Sequence, residues 1–544
     1  MTLSALLYGG KVDQLTSFFS LEFLAIFFPA ALLLYGVVPK KCKPYVLLAE
    51  SYVFVWLISG KLIVFLLLAT LLIHYCGLWL DRLQINMRQA LAEGESDARK
   101  VIRAHFTAKQ RGVIALAVVL LIGTLLALKY SAFFAGNVNT LLSLFPVTLR
   151  LQVPQHLLPI GISFFTLQAL SYILDVYRGT TKADDNLPRL ALFLAFFPQI
   201  VEGPICRYHQ TANALWNAGS IRFENLTQGL QRILFGMLKK IVIADRLDPL
   251  VKTVFSNHEA YDGAVIAVAA VCYTIQLYMD FSGAMDAVVG IAQIIGVSMP
   301  ENFSRPFFSK TISEFWMRWH ITLGTWFKDY VFYPITASKG MKKLTKRSRK
   351  TLGNHYGPLA AGSVALFCVW FCNGLWHGAA WNYLFFGMYH FVLILGGSLL
   401  TPVVRWLQRV LRIDPEQWWY RTLQMLRTTV LVIIGELFFR AHGLLAGLQM
   451  FERLLTDFSL QPLTDETWVD LGVDRYDLWI VAITLLLILF VSVYNEKGVS
   501  LRDHLSKKKR IFRWAVLYAL IVYIVVFGAY GFGYAPVDPL YAQF

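Results

Sequence analysis

Apolar runs recur along this whole sequence, each close to the roughly 20 residues that a helix needs to cross a hydrocarbon layer. Eleven or twelve of them stand between charged punctuation, near 17–38, 44–59, 61–80, 113–130, 156–177, 227–244, 262–281, 357–377, 380–403, 420–441, 476–494 and 513–532. The count turns on 227–244, where Lys239 and Lys240 interrupt the pattern. Composition agrees: of 544 residues 57% are hydrophobic and only 15% charged, and the mean hydropathy is +0.54. So much apolar surface has to face lipid, which excludes a soluble enzyme, a disordered chain and a disulfide scaffold. The chain reads as an all-α polytopic membrane protein. Neither a basic n-region nor a small-residue cleavage site precedes the first run, so it reads as an uncleaved span. The six cysteines, from Cys42 to Cys372, show no metal-ligand spacing, and Cys76, Cys272, Cys368 and Cys372 fall inside apolar runs as buried free thiols.

The formal charge of +16 would point to nucleic acid in a soluble protein. Here the Lys and Arg collect in short stretches between apolar runs, the pattern of loops held at an anionic cytoplasmic leaflet, and nucleic acid is excluded as a partner. Residues 81–112, 337–356, 405–421 and the run Lys507-Lys508-Lys509-Arg510 therefore belong on the cytoplasmic side, and the acidic stretch 443–477 outside. Counting spans from these anchors puts both termini outside. Between about 182 and 356, Pro, Gly and charge break the apolar pattern, as in 189–208 with Pro198, Gly203 and Pro204. Non-helical backbone at membrane depth persists only where protein or a water-filled cavity satisfies it, so re-entrant and tilted helices lining a central cavity are expected there. No repeat, linker or low-complexity tract marks a soluble appendage, and 1–544 reads as one integral domain.

Ionisable groups at membrane depth are costly and by default functional. His377 lies in Asn373-Gly374-Leu375-Trp376-His377-Gly378 between two apolar runs, where glycines permit close approach and an imidazole can take a proton from a hydroxyl. The alternative is a buried histidine that only bonds a carbonyl. His320 closes the helix-like stretch Ser313 to His320, in which Glu314 and Arg318 share one face and Trp316 and His320 another. It is either aimed into a cavity beside an aromatic wall or part of an interfacial helix with a Trp belt. Asp280 ends the run from 262 and either caps a helix with Ser282 and Gly283 or enters an ion pair near Asn302 and Arg305. His74 and His390 lack a Gly, Asn or carboxylate companion and read as core. With no G-x-S-x-G, H-E-x-x-H, P-loop or Cys-x-x-Cys, nothing supports metal, nucleotide or covalent serine chemistry.

Five stretches, taken together and in order, resemble the membrane-bound O-acyltransferase family. They are Leu158 to Phe165; Phe197-Pro198-Gln199 with Glu202 to Ile205; Met279 to Gly283; Glu314 to His320 with Trp326 to Tyr330; and Trp376-His377-Gly378. The likeness is greatest to the bacterial alginate O-acetyltransferase branch and extends more distantly to the D-alanyl transfer protein of teichoic acid. It implies the family's helical fold, with a core over about 110–400 and peripheral helices at 1–109 and 401–544, in a bacterial cytoplasmic membrane. It also implies a reaction: an acyl group, acetyl above all, passes from a cytoplasmic thioester to hydroxyls of an extracytoplasmic polysaccharide or cell-wall polymer. The thioester, acetyl-CoA or an acyl-carrier protein, is a co-substrate and not a tightly bound cofactor, no metal takes part, and an extracytoplasmic acetyltransferase is an expected partner. His377 matches the family's catalytic histidine and His320 its second histidine. Asn373, Trp376, Asp280, Trp316 and Arg318 stand as substrate-binding candidates. One departure touches the donor side, since Tyr333 to Ala337 and a basic stretch replace the branch's Pro-Leu-Gly-Gly turn. That basic stretch either attracts the phosphates of coenzyme A or an acidic carrier, or serves only as a positive-inside signal. D-alanyl transfer from a carrier protein and, from another class, a proton-coupled transporter using the buried His and Asp are the alternatives.

Overall fold

The computed structural model describes residues 13–146, 149–154, 158–460, 465–499, 501–530 and 537. Both chain ends, whose sidedness the charge pattern predicts, fall outside the described residues. No strand occurs among the described residues. Among the described residues eight helices are long and apolar enough to cross a membrane: Lys43–Glu93, Arg99–Leu142, Gly263–Ile294, Lys339–His377, Trp381–Val410, Trp418–Arg440, Arg475–Glu496 and Arg510–Phe527. The runs expected at 44–59 and 61–80 are one helical stretch that turns at Gly60, and the runs near 17–38, 156–177 and 227–244 are helical but shorter or charged. This is a multi-pass membrane protein. In Arg510–Phe527, Val522, Val525 and Val526 are each about three-fifths exposed, an apolar surface that lipid and not water must cover. Gly263–Ile294 is an inner helix, with 72% of its most apolar stretch buried.

The chain forms two compact units, one made of 1–230 and 288–300, the other of 231–287 and 301–544. In the first, side chains tie distant helices by their backbone: Ser51 Oγ accepts from Phe197 N at 3.1 Å, and Gln84 Nε2 donates to Val176 O at 2.8 Å. The stretch 189–208 is broken as expected, into Leu187–Ala195, the single turn Phe197–Ile200 and a loop before Tyr208–Trp216. Gly161, at φ +77°, starts the helix Ile162–Arg178, and a Cβ there would stand 2.1 Å from Ile200 O, so only glycine fits. Below it Asp184 is clamped by Arg189 Nε and Nη2 at 2.6 and 2.5 Å and by the Tyr208 hydroxyl.

In the second unit several charges of 231–287 are paired with one another or with nearby acids. Lys240 Nζ lies 2.7 Å from Asp245 Oδ1 and 2.8 Å from Asp280 Oδ1, all three side chains being buried or nearly so. Arg232 reaches Asp286 at 3.1 Å and Glu301 at 2.5 Å, and Lys239 meets Asp286 at 2.7 Å. These pairs explain how charged residues persist in an apolar helix. The stretch 337–356, expected as a loop, is instead helical: it forms the first part of Lys339–His377 and turns at Gly353, where φ is +77°. Seven cations without an acid still leave a good helix former at most positions.

Candidate active site

Every predicted site residue belongs to the second unit. The helix Lys339–His377 ends on His377, and Trp381–Val410 returns beside it. Their crossing is tight because small residues meet there: a Cβ on Gly374 would stand 2.6 Å from Tyr383 O, and one on Gly387 2.4 Å from Trp370 O. Backbone, not ligand, therefore makes the close approach that Gly374 permits. His377 is 2% exposed, with its ring 5.0 Å from Trp376, 5.1 Å from Phe439 and 6.0 Å from Phe386, centre to centre. Asn373, one turn earlier, is buried, and its Oδ1 has no hydrogen-bond partner among the described residues.

His320 does not close a helix. Ile312–Arg318, capped by Thr311 Oγ1 accepting from Glu314 N at 3.1 Å, stops at Arg318. The reason is the loop after 300: Ser304 N donates to Arg318 O and Asn302 O accepts from Ile321 N, both at 2.9 Å, taking groups that a continuing helix would use. His320 consequently sits at φ +46°, a left-handed conformation uncommon for a residue with a Cβ, and caps Ile321–Phe327. The expectation that Trp316 and His320 share a helical face is thus corrected. Trp316 Nε1 donates to His390 Nδ1 at 3.2 Å and its ring packs on Trp370, while His320 packs between Phe281 at 4.9 Å and Trp376 at 5.6 Å.

Trp376 therefore touches the rings of both histidines and joins them into one buried cluster. The other candidates divide. Asn373 and Trp376 belong to this cluster by position. Asp280 stands inside Gly263–Ile294, so it is not a helix cap, and its ion-pair partner is Lys240, while Arg305 pairs with Glu496 at 2.6 Å. Arg318 is engaged by Glu314 at 2.9 Å, the pairing that their spacing predicts, and by Glu496 at 3.0 Å. Sequence reasoning missed the part that Asn302 plays. Its Oδ1 accepts from Thr322 N at 3.1 Å and Thr322 Oγ1 at 2.9 Å and lies 3.2 Å from His320 Nδ1. The available signal was an amide side chain within Glu301-Asn302-Phe303-Ser304-Arg305, in a chain where buried polar groups need partners. His390, read as core, is core, with Trp316 as its companion.

Two buried imidazoles in an aromatic, water-poor setting suit proton transfer from a hydroxyl. Among the described residues no group of three His, Cys, Asp or Glu is placed to hold a metal ion.

Residues 181–434 match the profile of the membrane-bound O-acyltransferase family, MBOAT. The chain is 32% identical over 448 residues to a probable alginate O-acetylase of Azotobacter vinelandii, an alignment covering 82% of this chain and 80% of that protein. It is 29% identical to a peptidoglycan O-acetyltransferase of Helicobacter pylori over 48% of this chain and 50% of that one. A teichoic acid D-alanyltransferase of Bacillus subtilis is 29% identical over 52% of this chain and 67% of its own length.

Proposed function

The chain belongs to the membrane-bound O-acyltransferase family and is an O-acyltransferase, and on that premise we propose that it carries an acetyl group from a cytoplasmic thioester to hydroxyls of an extracytoplasmic polysaccharide or cell-wall polymer. The observation that carries this reading is the buried pair His320 and His377, both packed against Trp376. His377 is the general base. It takes the proton of the acceptor hydroxyl as the oxygen attacks the thioester carbonyl; the C–S bond then breaks, and the departing thiolate recovers the proton from the imidazolium. His320 either orients a substrate or donates to the developing oxyanion, and Asn373 is a second candidate for the latter task. The donor is acetyl-CoA or an acyl-carrier protein. The protein sits in a bacterial cytoplasmic membrane with both ends outside, and an extracytoplasmic acetyltransferase completes transfer to the polymer.

The kinship with the Bacillus subtilis protein supports a second reading, D-alanyl transfer from a carrier protein to teichoic acid by the same histidine. Proteoliposomes loaded with labelled acetyl-CoA, with acceptor glycan and the partner acetyltransferase outside, separate the two. Native protein is expected to form labelled ester, and His377→Ala to lose about 10²- to 10⁴-fold of the rate at matched expression. Normal acetylation by the variant would overturn the assignment of His377, and absence of ester from the native protein would favour the D-alanyl reading.

A further inference from the structure

The buried contacts of Asn302 determine which hydrogen-bonding role His320 can take. The amide's orientation is fixed by Thr322 N, which can only donate: the atom of Asn302 facing it at 3.1 Å must be the carbonyl oxygen. Thr322 Oγ1 donates to the same oxygen at 2.9 Å, and the amide nitrogen of Asn302 turns to Met285 Sδ at 3.3 Å. His320 Nδ1 lies 3.2 Å from that same oxygen. A carbonyl oxygen bears no hydrogen and can only accept, so Nδ1 must carry the hydrogen of this contact. In the neutral ring Nε2 then carries the lone pair.

The rings packed against His320, those of Phe281 and Trp376, are aromatic. The nearest acid in sequence to Phe281, Asp280, is paired with Lys240, and the titratable neighbour across Trp376 is His377. Asn302 is itself held in place, since its backbone oxygen accepts from Ile321 N and the next residue but one, Ser304, binds Arg318 O. His390 makes an instructive contrast. Its Nδ1 accepts from the indole N–H of Trp316, so its hydrogen sits on the other nitrogen.

We propose that Asn302 is a positioning residue that holds His320 in the tautomer protonated on Nδ1, making Nε2 an acceptor that grips an O–H or N–H of a substrate. This rests on the acyl-transfer reading above and decides between the two roles left there for His320. A neutral ring with its lone pair on Nε2 cannot donate to an oxyanion, so oxyanion stabilisation falls to another group. The chemistry gripped is a hydrogen-bearing substrate group next to the reacting one, such as a second sugar hydroxyl or a donor amide N–H.

The test uses the full chain in proteoliposomes, with Asn302→Leu, Asn302→Asp, His320→Ala and His377→Ala compared with native protein for kcat and KM. In parallel, histidine labelled with ¹⁵N in the native protein reports which ring nitrogen of His320 is protonated, the resonance being assigned by its absence from His320→Ala. Native His320 is expected to be protonated on Nδ1. Asn302→Leu, which removes the acceptor, should lower kcat by about 10²-fold, while Asn302→Asp, which keeps an acceptor oxygen, should restore most of that loss. A native His320 protonated on Nε2 would overturn the proposal, as would Asn302→Leu with kcat within about threefold of native. Should Asn302→Leu fail to fold, the native spectrum decides alone. Absence of acyl transfer by the native protein would instead sink the acyl-transfer reading, and the native spectrum would still decide which nitrogen of His320 Asn302 engages.

Discussion

Lys240 provides a sharp test of how this membrane protein tolerates charge. Its ammonium stands 2.7 Å from Asp245 and 2.8 Å from Asp280, with 3% of the Lys240 side chain exposed and 3% of that of Asp280. At an effective dielectric of about 20 each contact is worth roughly 6 kcal/mol of bare attraction. Most of that is offset by the cost of taking three charges out of water, so the triad adds little net stability against an apolar replacement. Removing the lysine alone is different, because two carboxylates are left buried together. Lys240→Met is expected to cost about 3–5 kcal/mol. On the scale of soluble domains this lowers the midpoint of thermal unfolding by on the order of 10 °C. The assay is thermal unfolding of detergent-purified protein followed by tryptophan fluorescence. Neutralising the whole triad, as Lys240→Met with Asp245→Asn and Asp280→Asn, should recover most of the loss. A single variant melting within about 2 °C of native, or a triple variant less stable than the single one, would refute the reasoning.

Two further outcomes follow from contacts elsewhere. Gly374→Ala drives a Cβ to 2.6 Å from the Tyr383 carbonyl, so the helices ending and beginning around His377 must separate; a loss of about 1–3 kcal/mol in thermal unfolding and a lower kcat are expected. At Asp184, burial pushes the carboxyl up, but the Arg189 hydrogen bonds, with those of Tyr208 and Asn186 N–H, outweigh it and hold the group below its ordinary range. A depressed carboxyl stabilises above its unfolded value, and the benefit is lost as pH falls through the folded one. Native protein should therefore lose stability in acid more steeply than Asp184→Asn, as melts across that range will show.

The helical class, the membrane location and the burial of His320 and His377 were all legible in the sequence, because apolar length and buried polarity are one-dimensional signals. What the sequence hid arose from pairing between distant segments. Lys239 and Lys240 looked like a flaw in a span until Asp286, Asp245 and Asp280 supplied their partners. Helical spacing put Trp316 and His320 on one face, but two backbone hydrogen bonds from the loop 302–304 end the helix before His320. Asp280 looked like a cap because Ser282 and Gly283 follow it, yet the helix runs on to Ile294, since favourable packing outweighs the weak local preference of one glycine. Asn302 meets His320 and Thr322 across a turn of irregular backbone, a pairing that no spacing encodes.

The interleaving of the two units bears on how the chain is made. The first unit is complete only when residues 288–300 have been added, after 231–287 of the second have already been synthesised. Two of the crossings, at 230 and 287, fall inside the helices Phe223–Met237 and Gly263–Ile294 and not in linkers. No contiguous fragment can therefore hold one unit whole and leave out the other. During translation the ribosome delivers a stretch of the second unit before the first unit can close. A truncation library should accordingly show no intermediate length that is protease-resistant before residue 300 has been made.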